Sequence, residues 1–126
     1  CLQMLKDLDL ENETTLVCNL SQDKMQAKYQ AADFFVSTSW LEGSGWALCE
    51  AMACGTDAVV TDIPPHRWMT DVGRAGGLFS CGNAEELAGI LEQSSSKKNE
   101  LGKLAREIFE KKLSFQAIAD TIAGLL

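Results

Sequence analysis

Thr38-Ser39-Trp40-Leu41-Glu42-Gly43-Ser44-Gly45-Trp46-Ala47-Leu48-Cys49-Glu50-Ala51-Met52-Ala53-Cys54-Gly55-Thr56-Asp57-Ala58-Val59-Val60-Thr61 is the stretch that decides the fold. A short apolar run, Phe34-Phe35-Val36, leads into it and reads as a strand. A polar loop follows, carrying Glu42 and then Gly43-Ser44-Gly45. A helix is expected to start at Gly45 or Trp46 and to stop at Gly55, where glycine tolerates the turn that ends a helix. A second strand, Ala58-Val59-Val60, comes next. Strand, glycine loop and helix N-terminus together make a common anion site in α/β proteins. The glycines let another group approach the backbone, and the free N–H groups of the first turn favour negative charge. Gly-x-Gly also marks ordinary tight turns, so the loop by itself leaves both readings open.

The helix narrows the choice. Eight of the nine residues from Trp46 to Cys54 are apolar, on every face, which reads as a buried helix. Glu50 is the exception, and a carboxylate in that setting needs hydrogen-bond donors. No basic residue lies between Lys28 and Arg67, so either a distant residue or a ligand supplies them.

Glu42 and Glu50 are separated by seven residues. Thr38 to Gly45, followed by Glu50-Ala51-Met52-Ala53-Cys54-Gly55-Thr56, resembles the Glu-x7-Glu signature of retaining glycosyltransferases with two Rossmann-like domains (the GT-B fold), especially family 4. That family usually reads Pro-Ser-x-x-Glu-Gly-Phe-Gly and then Glu-Ala-Met-Ala-Cys-Gly-x-Pro. Thr38, Ser44 and Asp57 are the departures here, while both glutamates and both loop glycines are in place. A weaker resemblance runs from about Thr14 to the C-terminus, through Tyr29-Gln30-Ala31-Ala32-Asp33 and Leu113-Ser114-Phe115.

Bulk properties bound the rest. The chain has 126 residues, enough for one domain with a single core. Its hydrophobic content of 46% is that of a globular protein, and no apolar run reaches membrane-spanning length. The net charge is −7, with basic pairs only at Lys97-Lys98 and Lys111-Lys112, which argues against nucleic acid as a partner. Five cysteines (Cys1, Cys18, Cys49, Cys54 and Cys81) form no Cys-x-x-Cys pair and read as buried free thiols of a cytosolic protein. With one histidine, His66, the sequence offers no zinc set.

Outward from the centre, residues 1–10 have apolar spacing for a core-facing helix. They start abruptly and without an initiating methionine, as in an excised domain. Asn12-Glu13 reads as a turn and Thr14-Thr15-Leu16-Val17-Cys18 as a strand. Ser21 is placed to cap a helix over 22–32, with Met25, Tyr29 and Ala32 as its core face. Trp40 and Trp46 read as packing residues, with a share in shaping a sugar pocket as the sharper alternative. Asp62-Ile63-Pro64-Pro65 is a stiff turn at the carboxyl end of a strand over 57–61. His66 and Arg67 after it could touch a phosphate or an acceptor, or simply sit at a solvated helix start. In the resembling family a glutamate often stands where Arg67 stands. Gly76 to Ser80 is expected to be the last strand, followed by helices from Ala84 to Gln93, from Lys97 to Lys112 and from Phe115 to Leu126. Asn83 and Ser114 read as N-caps, Ser94-Ser95-Ser96 as a linker or cap, and Leu87, Ile90, Leu91, Leu101, Leu104, Ala105, Ile108 and Phe109 as inward positions.

Four short strands alternating with helices imply an α/β, three-layer, Rossmann-like domain with a short parallel sheet. The resemblance places it as the donor-binding, C-terminal half of a GT-B enzyme. It implies a nucleoside diphosphate sugar donor, an unknown acceptor and an acceptor-binding N-terminal domain elsewhere. It also implies an Arg and a Lys from a preceding segment, so that the chain alone would be inactive. By the resemblance, Glu50 takes the ribose hydroxyls and Glu42 faces the donor sugar. The backbone of Gly43, Ser44 and Gly45 reaches the sugar, and the N–H groups of Trp46 and Ala47 hold the diphosphate. Asn19 and Leu20 lie near the base. It implies no metal and no cofactor, since protein donors take the leaving charge. A non-catalytic domain of the same fold, used for interaction or assembly, is the alternative, favoured by Ser44 and the missing prolines. A phosphate-binding α/β module of another enzyme class is the third reading.

Overall fold

The computed structural model describes residues 2–94 and 98–126, the side chains of 98–101 excepted. In chain order the elements are α1 (Leu2–Asp7), α2 (Gln22–Ala31), β1 (Phe34–Ser37), α3 (Trp46–Ala53), β2 (Asp57–Thr61), α4 (Pro64–Met69), β3 (Gly76–Phe79), α5 (Ala84–Ser94), α6 (Lys98–Lys112) and α7 (Phe115–Ala123).

β2 is the centre of a parallel sheet of order β1-β2-β3. Phe34 pairs with Asp57 and Ser37 with Val60 on one side, and Ala58 with Gly76 and Thr61 with Phe79 on the other. Every residue of β2 is buried, as expected of a parallel strand covered on both faces. Ala58 and Val60 point into a cluster with Leu48 and Met52 of α3, Ala105 and Ile108 of α6, Met69, Ala75 and Leu113. Side chains alternate along a strand. Leu78 packs on that cluster, and its neighbour Gly77 therefore faces the other way, where Ile90 of α5 fills the space that a Cβ would take. Helices α3 and α6 thus cover one face and α5 the other, a three-layer arrangement.

Local signals set several boundaries. Gly55, at φ 74°, ends α3 in the left-handed conformation. Asn83 accepts the N–H of Glu86 at 3.1 Å, and Ser114 accepts that of Ala117 at 3.1 Å. Pro64 and Pro65 open α4, where their missing donors cost nothing.

Several expectations need correction. Thr14 to Cys18 forms no strand, so the sheet has three strands where four were expected. Leu16 and Val17 stay exposed and make no ladder beside β1. β-branched composition marks a surface suited to a sheet, and without a ladder it produces no strand. Likewise α1 buries no residue, although its spacing is helical. The Met25–Tyr29–Ala32 face of α2 is exposed at Met25 and Ala32 and half-buried at Tyr29. Ser21 stands at the N-cap of α2 without a side-chain capping bond. Helix α3 is buried on one side only, at Leu48, Ala51 and Met52, while Trp46, Ala47 and Glu50 face solvent. Cys18 is exposed and Cys49, Cys54 and Cys81 are half-buried free thiols, so the reading of buried cysteines is corrected too. The last helix ends at Ala123 and not at Leu126. Cys1, Ser95, Ser96, Lys97 and the side chain of Leu101 lie outside the described residues.

Candidate functional site

The loop between β1 and α3 leaves the carboxyl edge of the sheet, where open α/β sheets present their ligand sites. Three hydroxyls and one carbonyl fix its path. Ser37 Oγ donates to Ser39 Oγ at 3.2 Å, and Ser39 Oγ donates to Glu42 Oε1 at 3.3 Å. Thr61, the last residue of β2, donates its hydroxyl to the Ser39 carbonyl at 2.5 Å. Glu42 is therefore half-buried and oriented from below by the loop itself.

Gly45 is the hinge into the helix. It is buried, stands at the N-cap of α3 and adopts φ 61°. The left-handed φ calls for glycine, and a Cβ there would come within 2.8 Å of the Met69 sulfur, so the end of that side chain would have to move. The first helical bond runs from the Cys49 N–H to the Gly45 carbonyl at 3.0 Å. The N–H groups of Trp46, Ala47 and Leu48 thus belong to the open first turn, with the positive end of the helix dipole. Gly43 and Ser44 are exposed beside it.

Glu50 lies one face further along α3 and is exposed. Its partner is a distant residue, the hydroxyl of Tyr29 on α2, which donates to Oε2 at 3.4 Å. Tyr29 was read from the sequence as a core residue and missed as a site residue. Its phenol is held above the usual range, first by burial and then by the Glu50 charge, so it stays a donor.

Two cavities meet at Glu50. One, of about 560 Å³, runs from Gly43, Ser44 and Trp46 past Glu50 over Trp68, Phe109 and Phe115. The other, of about 690 Å³, is walled by Leu20, Met25, Tyr29, Glu50, Cys54 and Arg106. Leu20 therefore shares a cavity with Glu50. Asn19 stands beside it in the chain with φ 54°, and does not line that cavity. Trp40 and Trp46 are exposed, which corrects the reading of both as packed residues.

His66 and Arg67 also depart from expectation. His66 is buried, with Nδ1 2.9 Å from the Thr61 carbonyl and 3.2 Å from the Thr61 hydroxyl oxygen. A carbonyl only accepts, so Nδ1 carries the proton, and the ring ties α4 to the end of β2. Through Thr61 the same network reaches Ser39. A solvated helix start fails to describe this residue. Arg67 is exposed and pairs with Asp62, whose carboxyl it holds below the usual range. The one signal that could have found the His66 tie is its place at i+5 from Thr61 across a proline turn. Among the described residues no group of three or more His, Cys, Asp or Glu is placed to hold a metal ion. No helix among them is long and apolar enough to cross a membrane.

With this geometry in view, residues 2–112 match the family model described as glycosyl transferases group 1. A GDP-mannose:cellobiosyl-diphosphopolyprenol alpha-mannosyltransferase of Xanthomonas oryzae pv. oryzae (strain PXO99A) is 41% identical over 56 residues. That match covers 44% of this chain and 15% of that protein. The protein of the same name from Xanthomonas campestris is 39% identical over 66 residues, covering 52% of this chain and 17% of its own. Sucrose-phosphate synthase from Thermosynechococcus elongatus superposes with a TM-score of 0.87 at 25% identity, over 98% of this chain and 32% of that one. The chain therefore spans a small part of the length of each relative it matches. The superposition also makes its three layers a GT-B Rossmann-like domain.

Proposed function

The chain belongs to the glycosyl transferases of group 1, and from that premise we propose that it binds the nucleoside diphosphate sugar donor for a retaining transfer of a hexosyl unit to an acceptor. One observation carries the reading. Glu42 and Glu50 flank a loop whose glycine hinge opens the first turn of α3 at the carboxyl edge of the sheet.

Each part of the site has a chemical task in this reading. Glu50, exposed and charged, accepts from the two hydroxyls of the donor's ribose, since a carboxylate has oxygens for both. The N–H groups of Trp46 and Ala47 take the diphosphate, and with it the charge that builds on the leaving group. The backbone of Gly43, Ser44 and Gly45 touches the sugar. Glu42, fixed by Ser39, faces the sugar and steadies the positive charge developing at the anomeric carbon. Leu20, in the cavity shared with Glu50, lies toward the base, with Asn19 next to it. An acceptor-binding domain of the same enzyme and a cytoplasmic location belong to the same reading.

The test is a titration with UDP, GDP and ADP. The two mannosyltransferase relatives make GDP the first to try. One nucleotide is expected to bind, and Glu50→Ala is expected to weaken it by about tenfold to a hundredfold, the loss of a charged hydrogen-bond pair. Glu42→Gln is expected to keep nucleotide affinity within a few-fold and, in the enzyme that also carries the acceptor-binding domain, to abolish transfer. Unchanged affinity in Glu50→Ala would overturn the reading.

A further inference from the structure

We infer that Tyr29 is a positioning residue for Glu50: its neutral hydroxyl takes one acceptor site on Oε2, orients the carboxylate, and leaves the remaining acceptor sites of both oxygens free for a vicinal diol. The inference rests on the ribose reading of Glu50 and adds to it how that carboxylate is held without being neutralised.

The chemistry of the partner matters. A carboxylate at the mouth of a cavity is commonly held by a cation, which would cancel the charge that a diol's hydroxyls need. Here the guanidinium that lines the same cavity is turned to other work. Arg106 lines the same cavity, but it donates to the Ala53 carbonyl and to Glu110, and its plane lies over the Phe109 ring with 5.4 Å to the centroid. A phenol supplies one directed donor and no charge.

Tyr29 is itself built in from three sides, which a chance surface contact would not require. Its ring meets that of Phe35 on β1 edge-on, at 6.1 Å and 67°. Its carbonyl accepts the hydroxyl of Thr56, which follows the end of α3, at 2.8 Å. Its hydroxyl reaches Glu50 Oε2 across the α2–α3 seam. The segment carrying Tyr29 otherwise buries nothing, since no residue of α2 is buried. Tyr29 is the one residue of α2 that is not exposed, and its hydroxyl is directed at Glu50. Burial and the Glu50 charge both keep the phenol protonated, so the donor persists across the neutral range.

The experiment compares GDP, UDP and ADP, each with its 2′-deoxy form, on the wild-type protein and on Glu50→Ala, Tyr29→Phe and Tyr29→Leu. In the wild type the ribo form is expected to bind more tightly. Glu50→Ala is expected to erase that preference. Tyr29→Phe keeps the ring against Phe35 and removes only the hydroxyl, and is expected to lower the ribo-to-deoxy ratio about threefold to tenfold, the worth of one oriented hydrogen bond. A ratio unchanged in Tyr29→Phe but lowered in Tyr29→Leu means that the ring only packs, and overturns the inference while the ribose reading stands. A ratio unchanged in Glu50→Ala overturns the ribose reading, and the inference falls with it.

Discussion

Residues 2–32 and residues 46–61 both read from the sequence as elements that pack on the core, and they reach opposite states. In the second region Met52, Ala58, Val59 and Val60 are wholly inaccessible, and α3 and β2 pack with α6 around them. In the first, Leu2 and Met4 remain 64% exposed, Leu16 and Val17 are exposed, and neither helix buries a residue. Periodicity decides what an element would bury, and only a facing surface decides whether it does. The rest of the chain supplies facing surfaces to the central region, because β1 and β3 flank β2, α6 joins α3 on one face and α5 covers the other. Tyr29 is the one residue of α2 that is not exposed, and it reaches the central region through its ring on Phe35, its hydroxyl on Glu50 and its carbonyl on Thr56.

The largest expected effect breaks the comparison at its strong end. Met52→Ala removes a fully buried side chain between α3 and β2 and is expected to cost about 2–5 kcal/mol. Met4→Ala makes the same chemical change on exposed α1 and is expected to stay within about 0.5 kcal/mol. Urea denaturation of both variants checks the pair. Similar costs would mean that α1 packs in solution.

A second test concerns a defect inside the packed region. Asp57 opens β2 with 1% of its surface exposed, and among the described residues neither carboxylate oxygen has a hydrogen-bond partner. Burial pushes its carboxyl up to about 6. The seam over it is tight, since the Gly102 of α6 sits against Gly55 where a Cβ would collide with the Gly55 carbonyl. The folded state therefore prefers the protonated acid more than the unfolded chain does. Its contribution to stability is fully present below the unfolded pKa, near 3.8, and is lost as pH rises through about 6. The gap amounts to about 3 kcal/mol as a ceiling. Asp57→Asn is expected to be less sensitive to this change, so that its stability relative to wild type improves between pH 4 and pH 7. A difference that stays constant over that range would show that Asp57 finds a donor in solution.

The same contrast sets what could be read from residues alone. The span from Phe34 to Thr61 was legible because its signals are local and agree. A glycine at each end of α3, a β-branched run in β2 and two spaced glutamates all point to one arrangement. The caps at Asn83 and Ser114 were legible for the same reason. The strand over 14–18 and the core face of α2 were misread because both depend on a surface that other parts of the chain must supply. Tyr29 and His66 escaped because their partners lie 21 and 5 residues away across turns, and no period along one element reveals such pairs. Glu50 was singled out as a candidate by its spacing, but its exposure was not foreseen, since an apolar helix can still turn one face to solvent beside a cavity.

Helix α7 lies between the two regimes and sharpens the distinction most finely. Like α1 it buries no residue, and Phe115, Ile118 and Ile122 are exposed along it. Unlike α1 it is pinned at its start. The Ser114 hydroxyl accepts the Ala117 N–H and donates to the Glu110 carbonyl at 2.9 Å, which joins the end of α6 to the beginning of α7. If a facing surface is the only source of order, removing this cap should change little. If local capping can stand in for packing, Ser114→Ala should cost about 1 kcal/mol and loosen α7 selectively. We expect the second. Amide exchange over residues 115–123 should accelerate in the variant toward the rates of residues 2–7, while β2 stays protected. The change should also reach the cavity beside Glu50, because Phe115 and Ile118 line it. Exchange in α7 that is already as fast as in α1 before the substitution would mean that the cap orders nothing.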